Sequence, residues 1–258
     1  MVSIAGKTWS SGSAGGTTAS VLTSAESPLA LRYRASRLIE EPARERRSRR
    51  MVRVLNVFVA SVGIVLTAPL MVAVAIAIKL TSRGPVLFTQ ERVGIDRRRT
   101  RGRVNHRRNV NRGGRIFTIY KFRTMRAAGD AASQTWATKD DPRITSVGRL
   151  LRATRLDELP QFFNVLKGDM NIVGPRPEQP EIFDKLRTEL GGRYGRRQRV
   201  LPGITGLAQV NLGYDTDIDG VRRKVDFDLE YIKSRSASTD LEIMAKTVPV
   251  MVFRKVWM

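Results

Sequence analysis

The sequence predicts a small mixed α/β (α+β) domain that is attached to a membrane by one helix. Residues 54–78 contain no charged side chain, and this length allows a helix to cross a hydrocarbon core of about 30 Å. Short segments rich in β-branched and aromatic residues follow, which is typical of strands. Later segments place apolar residues at helical spacing, which indicates amphipathic helices.

The N-terminal residues 1–50 are predicted to form a disordered, basic tail. They include SSGSAGGTTAS and show little periodic apolar character, which is typical of a flexible segment rather than a secretory signal. Arginine becomes frequent from residue 32 to residue 53, and we interpret this stretch as a frayed basic helix. The domain itself is assigned to residues 51–258, with the membrane helix at 54–78 and the globular region at 79–258.

The membrane helix is predicted to be re-entrant. Basic residues flank both of its ends, and the positive-inside tendency is satisfied when both ends stay in the cytoplasm. Pro69 cannot donate to the carbonyl of Val65 and bends the helix, while Ser61 and Thr67 could bond carbonyls near the bend. A single straight span stays open, because kinks also occur in spans. A buried core helix is disfavoured, because such helices seldom lack a polar face.

The globular region is assigned element by element. GPVLFTQERVG and RIFTIYKFRTM are predicted to be strands, and LPGITGLAQVN a loop followed by a strand. LDELPQFFNVLKG is predicted to be a helix that ends at Gly168, and VRRKVDFDLEYIKS a second helix. The first of these helices carries an apolar face formed by Leu156, Leu159, Phe163 and Leu166.

Two basic segments bear on the partner of the chain. The closing LEIMAKTVPVMVFRKVWM has an apolar face with basic residues and Trp257, which suits an interfacial amphipathic helix, although a packed terminal helix fits equally well. Residues 97–115 contain nine arginines and no aromatic residue, so they lack the stacking platforms of a nucleic-acid site. Anionic membrane lipids are therefore the expected partner of this segment, and nucleic acid is not.

The composition narrows the chemistry further. The net charge of +22 indicates an anionic partner. The chain has no cysteine and one histidine, His106, which excludes a thiol nucleophile and Cys/His zinc sites and disfavours a histidine base. Carboxylates therefore lead the candidates for nucleophile and base.

The adjacent carboxylates of RATRLDELPQ are the leading candidates. Asp157 and Glu158 could simply begin a helix, with Asp157 as N-cap and Pro160 in the first turn. A carboxylate that attacks phosphorus instead needs its charge offset by a metal, by cations or by a helix N-terminus. We therefore interpret Asp157 as a nucleophile and Glu158 as a ligand of Mg²⁺. The cations in the neighbouring motifs are Lys121, Arg123, Arg143, Arg149, Arg152, Arg155 and Arg176.

Four motifs carry a resemblance to a known family. They are KLTSRGPVLFTQERVG, FTIYKFRTM, DDPRITSVGRLLRATRLDELPQFFNVLKGDMNIVGPRPE and PGITGLAQVN. In this order they resemble the bacterial sugar transferases, the monotopic phosphoglycosyl transferases, in their minimal form without extra N-terminal transmembrane helices. The resemblance implies transfer of a sugar 1-phosphate from a UDP-sugar to polyprenyl phosphate, with release of UMP. It places the enzyme on the bacterial inner membrane, with the catalytic region facing the cytoplasm, and implies a role in exopolysaccharide or glycoconjugate assembly.

The resemblance also implies roles for single residues. Asp157 matches the nucleophile that forms a phosphosugar intermediate, and Glu158 matches its partner associated with Mg²⁺. Lys121 and Arg176 match residues that contact phosphate and nucleotide, and Pro69 matches the proline of the membrane hairpin. Arg123 and Arg155 are assigned to substrate binding with them. VNLGY at 210–214 stands where many relatives have VNGR, so the sequence does not determine which sugar is transferred. It also does not determine whether the chain forms a homodimer.

Two other functions are weighed against this one. A non-catalytic basic adaptor would bind anionic lipid or nucleic acid in a salt-dependent manner, and its binding would not depend on Asp157 or Glu158. Ordinary glycosyl transfer would release a nucleoside diphosphate instead of UMP. The identity of the product therefore separates the two enzymatic functions.

Overall fold

The computed structural model describes residues 28–96, 113–126, 141–212 and 218–253, with side chains placed within these ranges from residue 50 to residue 250. The predicted tail before residue 28, the basic segment 97–112 and the last five residues, with Trp257, lie outside the described residues. The chain divides into two compact units, Met1–Arg44 and Glu45–Met258. The packing discussed below belongs to the second unit.

Helices make up most of the described residues, which also form two small sheets. The helices are α1 Pro28–Thr81, α2 Ser146–Thr154, α3 Gln161–Lys167, α4 Pro180–Leu190, α5 Leu207–Asn211, α6 Ile218–Ser234 and α7 Ala237–Phe253. The strands are β1 Leu87–Val93, β2 Ile116–Phe122, β3 Asn171–Val173 and β4 Gly203–Thr205. Two 3₁₀ segments are Leu156–Glu158 and Gly191–Arg199. The mixed α+β class predicted from the sequence is confirmed.

The first sheet is the antiparallel pair β1 and β2, and both strands were predicted. Phe88 lies opposite Lys121, and Arg92 lies opposite Phe117. Because successive side chains alternate between the two faces of a strand, β2 buries Phe117 and Ile119 on one face and Phe122 on the other. The register brings Lys121 to the end of β2.

The second sheet is the parallel pair β3 and β4. Strand β3 was not predicted, and the strand expected after the PGITG loop is instead helix α5. Leu207, Ala208 and Gln209 are good helix formers, and the backbone N–H of Val210 donates to the carbonyl of Gly206 (3.1 Å). The short strand β4 precedes this helix, within the segment predicted to be a loop.

Helix α1 contains the apolar segment. Residues Arg50–Thr81 are long and apolar enough to cross a membrane, and only 11% of their most apolar window is buried within the protein. This exposure is opposite to that of a core helix. The helix stays α-helical through Pro69, and Thr67 donates to the carbonyl of Gly63 (2.7 Å). Ser61 is exposed. The re-entrant path stays a prediction.

Two polar side chains of α1 hold it against the globular region. Asn56 is fully buried; its amide donates to the carbonyl of Val52 (2.6 Å) and accepts from the backbone N–H of Ile172. Arg53 donates to the carbonyls of Val165 (2.6 Å) and Leu166 (2.9 Å). These carbonyls belong to the last turn of α3, where a positive charge is stabilising.

Apolar contacts extend this packing along α1. Ala60 belongs to the main core, and a Cβ atom on Gly63 would lie 2.9 Å from the ring of Phe162. Farther along the helix, Val74 and Ile78 pack with Phe122 and Leu151 in a second core cluster. Leu156 and Leu159, which flank the acidic pair, pack against this second cluster. The acidic pair therefore lies on a turn that rests against the apolar helix.

Several helix predictions can be compared directly with the structure. Gly168 ends α3 with φ +79°, as predicted, and α6 covers the second predicted helix. Phe163 is 43% exposed and does not join the predicted apolar face, because the helix begins only at Gln161 and turns Phe162 inward instead. In α7, Ile243 is 1% exposed and lies in the main core, so this part of the closing helix is packed.

Candidate active site

The acidic pair is presented by a strained turn. Helix α2 is N-capped by Thr145, whose hydroxyl accepts from the backbone N–H of Gly148 (2.9 Å), and it ends at Arg155 in a left-handed conformation, φ 60° and ψ 10°. Among the described residues, Arg155 is the one non-glycine residue with positive φ. Such a conformation costs about 1 kcal/mol or more and is retained where the surroundings enforce it. The 3₁₀ turn with Asp157 and Glu158 follows directly.

The helix-start interpretation of this pair is wrong. Arg155, not Asp157, occupies the cap position of the 3₁₀ turn, and α3 begins only after Pro160, which has no capping side chain. Asp157 and Glu158 are 8% and 7% exposed. Burying a carboxylate costs free energy unless the group is paired. Nearby groups must therefore offset the charge of the two side chains.

Three cations converge on one oxygen of Glu158. Oε1 lies 2.8 Å from Nζ of Lys121, 3.0 Å from Nη2 of Arg176 and 3.5 Å from Nη1 of Arg155. The three residues come from β2, from the GPRP loop after β3 and from the strained turn itself. The structure thus brings together three of the four predicted substrate-binding residues on one carboxylate.

This arrangement separates the acidities of the two neighbours. Burial alone would raise the pKa of Glu158, but Lys121, Arg176 and Arg155 together hold that pKa well below its usual range. Burial and the adjacent charge of Glu158 raise the pKa of Asp157, and the same cations only partly oppose this. One carboxylate is therefore a firmly ionised anchor, and the other is a more basic oxygen donor.

The fourth predicted residue, Arg123, has different partners. Its guanidinium donates to the carbonyls of Arg83 (2.7 Å) and Ser82 (2.8 Å) and to the hydroxyl of Ser82 (2.8 Å). It therefore holds the segment that follows α1 and does not contact Glu158. Gly84, in the same turn, has φ +117°, a backbone conformation that L side chains rarely adopt, so this turn needs glycine.

The other cations named from the sequence also lie apart from Glu158. Arg143 forms an ion pair with Asp141 (2.6 Å), which lowers the pKa of Asp141 to about 2, mainly through hydrogen bonds to its side chain and backbone N–H. Arg152 donates to the hydroxyl of Thr124 (3.1 Å), and Arg149 is exposed on α2. Their positions support α2 and the segment after β2 rather than the acidic pair.

The loop that carries Arg176 is held by a buried network that sequence reasoning missed. Arg197, 5% exposed, pairs with Asp228 at 2.6 Å and donates to the phenol oxygen of Tyr194 (2.9 Å) and to the carbonyl of Arg176 (3.1 Å). Because Arg197 and Asp228 are 31 positions apart in the chain, no local pattern indicated their pairing.

Arg92 was missed in the same way. It donates to the carbonyl of Pro177 (3.1 Å) and to the side chain of Gln90 (2.6 Å). Burial, followed by the nearby charge of Arg176, lowers the pKa of Arg92 to about 10. Arg92 therefore adds a cation behind the GPRP loop. Its position in the QERVG strand is the one local sequence feature that could have indicated this role.

The family model described as bacterial sugar transferase matches residues 47–254. The chain belongs to the bacterial sugar transferase family. The match covers α1 from just before the apolar segment, the acidic pair and the GPRP loop, so every contact to Glu158 lies within the matched region of this sugar transferase.

Curated relatives of this sugar transferase are similar over about three quarters of its length. It is 43% identical over 194 residues to a UDP-N-acetylgalactosamine-undecaprenyl-phosphate N-acetylgalactosaminephosphotransferase of Aeromonas hydrophila, covering 75% of the chain and 42% of that protein. It is 39% identical to a UDP-glucose:undecaprenyl-phosphate glucose-1-phosphate transferase of Escherichia coli, covering 78% of the chain and 40% of that protein. With a protein of the same name from Caulobacter vibrioides it shares 40% identity, covering 78% of the chain and 69% of that protein.

The chain thus spans about two fifths of the length of the first two of these relatives. The relatives differ among themselves in the sugar that their names give. The shared part of their names is a sugar 1-phosphate or sugar phosphate transferred to undecaprenyl phosphate.

Proposed function

We propose that this sugar transferase moves a sugar 1-phosphate from a UDP-sugar to polyprenyl phosphate, with undecaprenyl phosphate as the acceptor named for its relatives. The observation that carries the proposal is the pairing of a buried, more basic Asp157 with a Glu158 that three cations keep ionised. A reaction that brings a carboxylate to a diphosphate needs this separation of roles.

In the first step an oxygen of Asp157 attacks the phosphorus that bears the sugar. A bond forms between this oxygen and phosphorus, the bond from phosphorus to the bridging oxygen of the diphosphate breaks, and UMP leaves with that electron pair. The product is an acyl phosphate, a mixed anhydride in which the phosphosugar is bonded to the carboxylate of Asp157. The raised pKa of Asp157 makes its ionised oxygen a better nucleophile than an ordinary aspartate.

In the second step the terminal phosphate oxygen of the lipid attacks the same phosphorus. The bond between phosphorus and Asp157 breaks, the carboxylate is regenerated, and a polyprenyl diphosphate sugar is released. Lys121, Arg155 and Arg176 offset the charge that collects on the transferred phosphoryl group, because guanidinium forks and a lysine ammonium match phosphate oxygens.

Mg²⁺ is proposed as the cofactor. Among the described residues, no group of three or more His, Cys, Asp or Glu forms a ready-made cation site. Mg²⁺, however, commonly uses one or two carboxylates together with substrate phosphates, and Glu158 with Asp157 provides such a pair. Glu158 would hold the ion, which when bound would neutralise phosphate charge.

The same packing supports a membrane location. The acidic pair lies on a turn supported by Leu156 and Leu159 against α1, whose exposed apolar residues suit a bilayer. A lipid acceptor with its phosphate at the bilayer surface would meet the acidic pair there. We propose attachment to the inner membrane, a catalytic region that faces the cytoplasm, and a re-entrant α1.

The test is product identity in membranes that contain the full chain. We expect UMP release from one or more of a panel of UDP-sugars when polyprenyl phosphate is added, and loss of this release by at least about a thousandfold in Asp157→Asn. Asp169→Asn, an acidic residue outside the cluster, is the control. Labelled UMP should also exchange into donor without acceptor, because the first step is reversible.

The other functions have their own outcomes in this assay. Release of UDP would assign ordinary glycosyl transfer. Normal turnover by Asp157→Asn would reject the covalent step. Absence of any product, together with lipid binding that weakens steeply with salt in both the parent and Asp157→Asn, would assign a basic adaptor.

A further inference from the structure

A second cationic surface lies on the 3₁₀ segment Gly191–Arg199. A 3₁₀ helix has three residues per turn, so residues three apart line up along one edge. Arg193, Arg196 and Arg199 form such an edge and are exposed. Tyr194 and Arg197 form another edge and are buried. One edge therefore presents three guanidiniums outward, while another holds the carbonyl of Arg176.

Buried contacts keep the edge with Arg193, Arg196 and Arg199 in a regular conformation. A 3₁₀ run of nine residues is longer than usual, because its hydrogen bonds have poorer geometry than those of an α-helix. Tyr194 packs on Phe183 with ring centroids 5.3 Å apart, and Arg197 pairs with Asp228 of α6. These buried contacts fix the segment and thereby fix the row of arginines, which a flexible loop would not.

A groove separates the arginine row from α6. Its volume is about 590 Å³, which is in the range of small-ligand sites. The groove is lined by Arg193, Arg196, Arg199, Asp226, Leu229, Glu230, Ile232, Lys233 and Ser234. We call it the arginine groove. It combines four cations with two carboxylates and two apolar side chains.

The four cations of the arginine groove differ in whether they form an ion pair. Arg193 forms an ion pair with Asp226. Within the described part of the chain, Arg196, Arg199 and Lys233 have no ion pair. Three positive charges thus line one cavity beside Leu229 and Ile232. An anionic group attached to an apolar body complements this lining better than a free ion does, because it uses both kinds of surface.

We propose that the arginine groove binds the headgroup of an acidic phospholipid, with the phosphate at Arg196, Arg199 and Lys233 and the start of the acyl chains at Leu229 and Ile232. Basic residues near an anionic bilayer are attracted to its surface. The arginine groove would thus be a defined binding site for an anionic lipid. This inference rests on the membrane location in the proposed function but not on the proposed chemistry.

The test uses the full chain in a non-ionic detergent, titrated with dioctanoyl phosphatidylglycerol or dioctanoyl phosphatidylcholine. Amide hydrogen exchange reports the protection of residues 191–199 and 226–234. We expect protection by the acidic lipid, and on the order of tenfold weaker apparent affinity in the double variant Arg196→Gln/Arg199→Gln. The double variant Lys185→Gln/Arg222→Gln removes the same charge from exposed positions outside the groove and should keep the parent affinity.

Several results would overturn this inference. They are equal protection by the two lipids, equal loss in both double variants, and equal protection by inorganic phosphate at the same concentration, which would indicate a site for a soluble anion. UMP release is measured on the same preparations. Normal UMP release without lipid protection rejects the groove alone, while lipid protection without any sugar-phosphate transfer rejects the proposed function alone.

Discussion

Glu158 controls its neighbour through charge. Its ionised carboxylate raises the pKa of Asp157, and its three cations hold the pKa of Glu158 itself low. The two side chains thus form one electrostatic unit, in which the charge of Glu158 affects how readily Asp157 loses its proton. A substitution at Glu158 should therefore change the pH dependence as well as the rate.

Glu158→Gln removes the negative neighbour and should lower the pKa of Asp157. Because the proposed attack needs Asp157 in its ionised form, the acid limb of the UMP-release profile should move to lower pH. The maximal rate should fall about a hundredfold, because the cations lose their anchor. The measurement is the rate of UMP release from pH 5 to 9 in parent and variant, and an acid limb at the parent position would contradict the electrostatic unit.

Asp240 links stability to pH. It is fully buried, accepts from the phenol of Tyr231 (2.8 Å) and lies near Arg235. Burial is the main cause that raises the pKa of Asp240 to about 6. Protonation of Asp240 therefore stabilises the folded state. This stabilisation is complete below pH 3.8, the pKa of an aspartate in the unfolded chain, and is lost as the pH rises through about 6, the pKa in the folded chain.

The folded protein should accordingly lose about 2 to 3 kcal/mol from this group between pH 4 and pH 7. Asp240→Asn cannot ionise and should reduce the fall in Tm over this interval, measured for the full chain in a non-ionic detergent. Asp184→Asn, at an exposed position on α4, is the control. If Tm falls as much in Asp240→Asn as in the parent, the carboxyl of Asp240 does not cause this pH dependence.

At the scale of the elements, α1 is held by polar contacts inside an apolar segment. Asn56→Leu would make the helix more apolar but would leave the N–H of Ile172 unpaired in the interior. We expect a loss of about 2 to 3 kcal/mol of stability. Thr81→Leu is the matched control, because Thr81 is exposed and bonds only carbonyls of its own helix.

The comparison is made by thermal unfolding of both variants in the same detergent. A Tm of Asn56→Leu at or above that of Thr81→Leu would show that apolar contact, and not the buried amide, holds α1. Parent protein in the same detergent gives the reference.

Local pattern predicted some elements well and missed others for clear reasons. The strands β1 and β2 are seven residues long, with turn signals beside them, and both were found. Strand β3 has three residues and pairs with β4 far along the chain, so no local signal marks it. The strand predicted after the PGITG loop is instead helix α5, which has five residues, and so short a segment carries too little periodic pattern to separate a helix from a strand.

The candidate site shows the same division. Lys121, Arg155, Asp157, Glu158 and Arg176 lie in motifs that the sequence displays, and the structure brings them together. The left-handed turn at Arg155 could not be read from an arginine, which rarely adopts it. The partners of Arg123 and of Arg197 depend on elements that are distant in the chain, and only the packed fold reveals them.

At the scale of the whole molecule, the path of α1 decides which side of the membrane each end occupies. The chain has no cysteine, so single cysteines report topology directly. Met51→Cys and Leu80→Cys place thiols at exposed positions, 53% and 82% in the parent, near the two ends of the apolar segment. Lys185→Cys reports the catalytic region.

A re-entrant helix predicts that an impermeant maleimide added outside intact spheroplasts labels none of the three thiols, and labels all three after lysis. A single span with a cytoplasmic catalytic region predicts labelling of Met51→Cys alone from outside. That second pattern would reject the hairpin while leaving the proposed chemistry in place.

The packing of α1 also has a consequence for how the protein is made. Translation delivers α1 before its packing partners, yet Ala60, Val74 and Ile78 complete both core clusters that surround β2 and the acidic turn. Helix α1 thus provides the apolar surface against which later segments pack. A shortened gene that starts after residue 81 would leave Phe122 and Leu151 uncovered, so we expect aggregated product rather than a soluble enzyme.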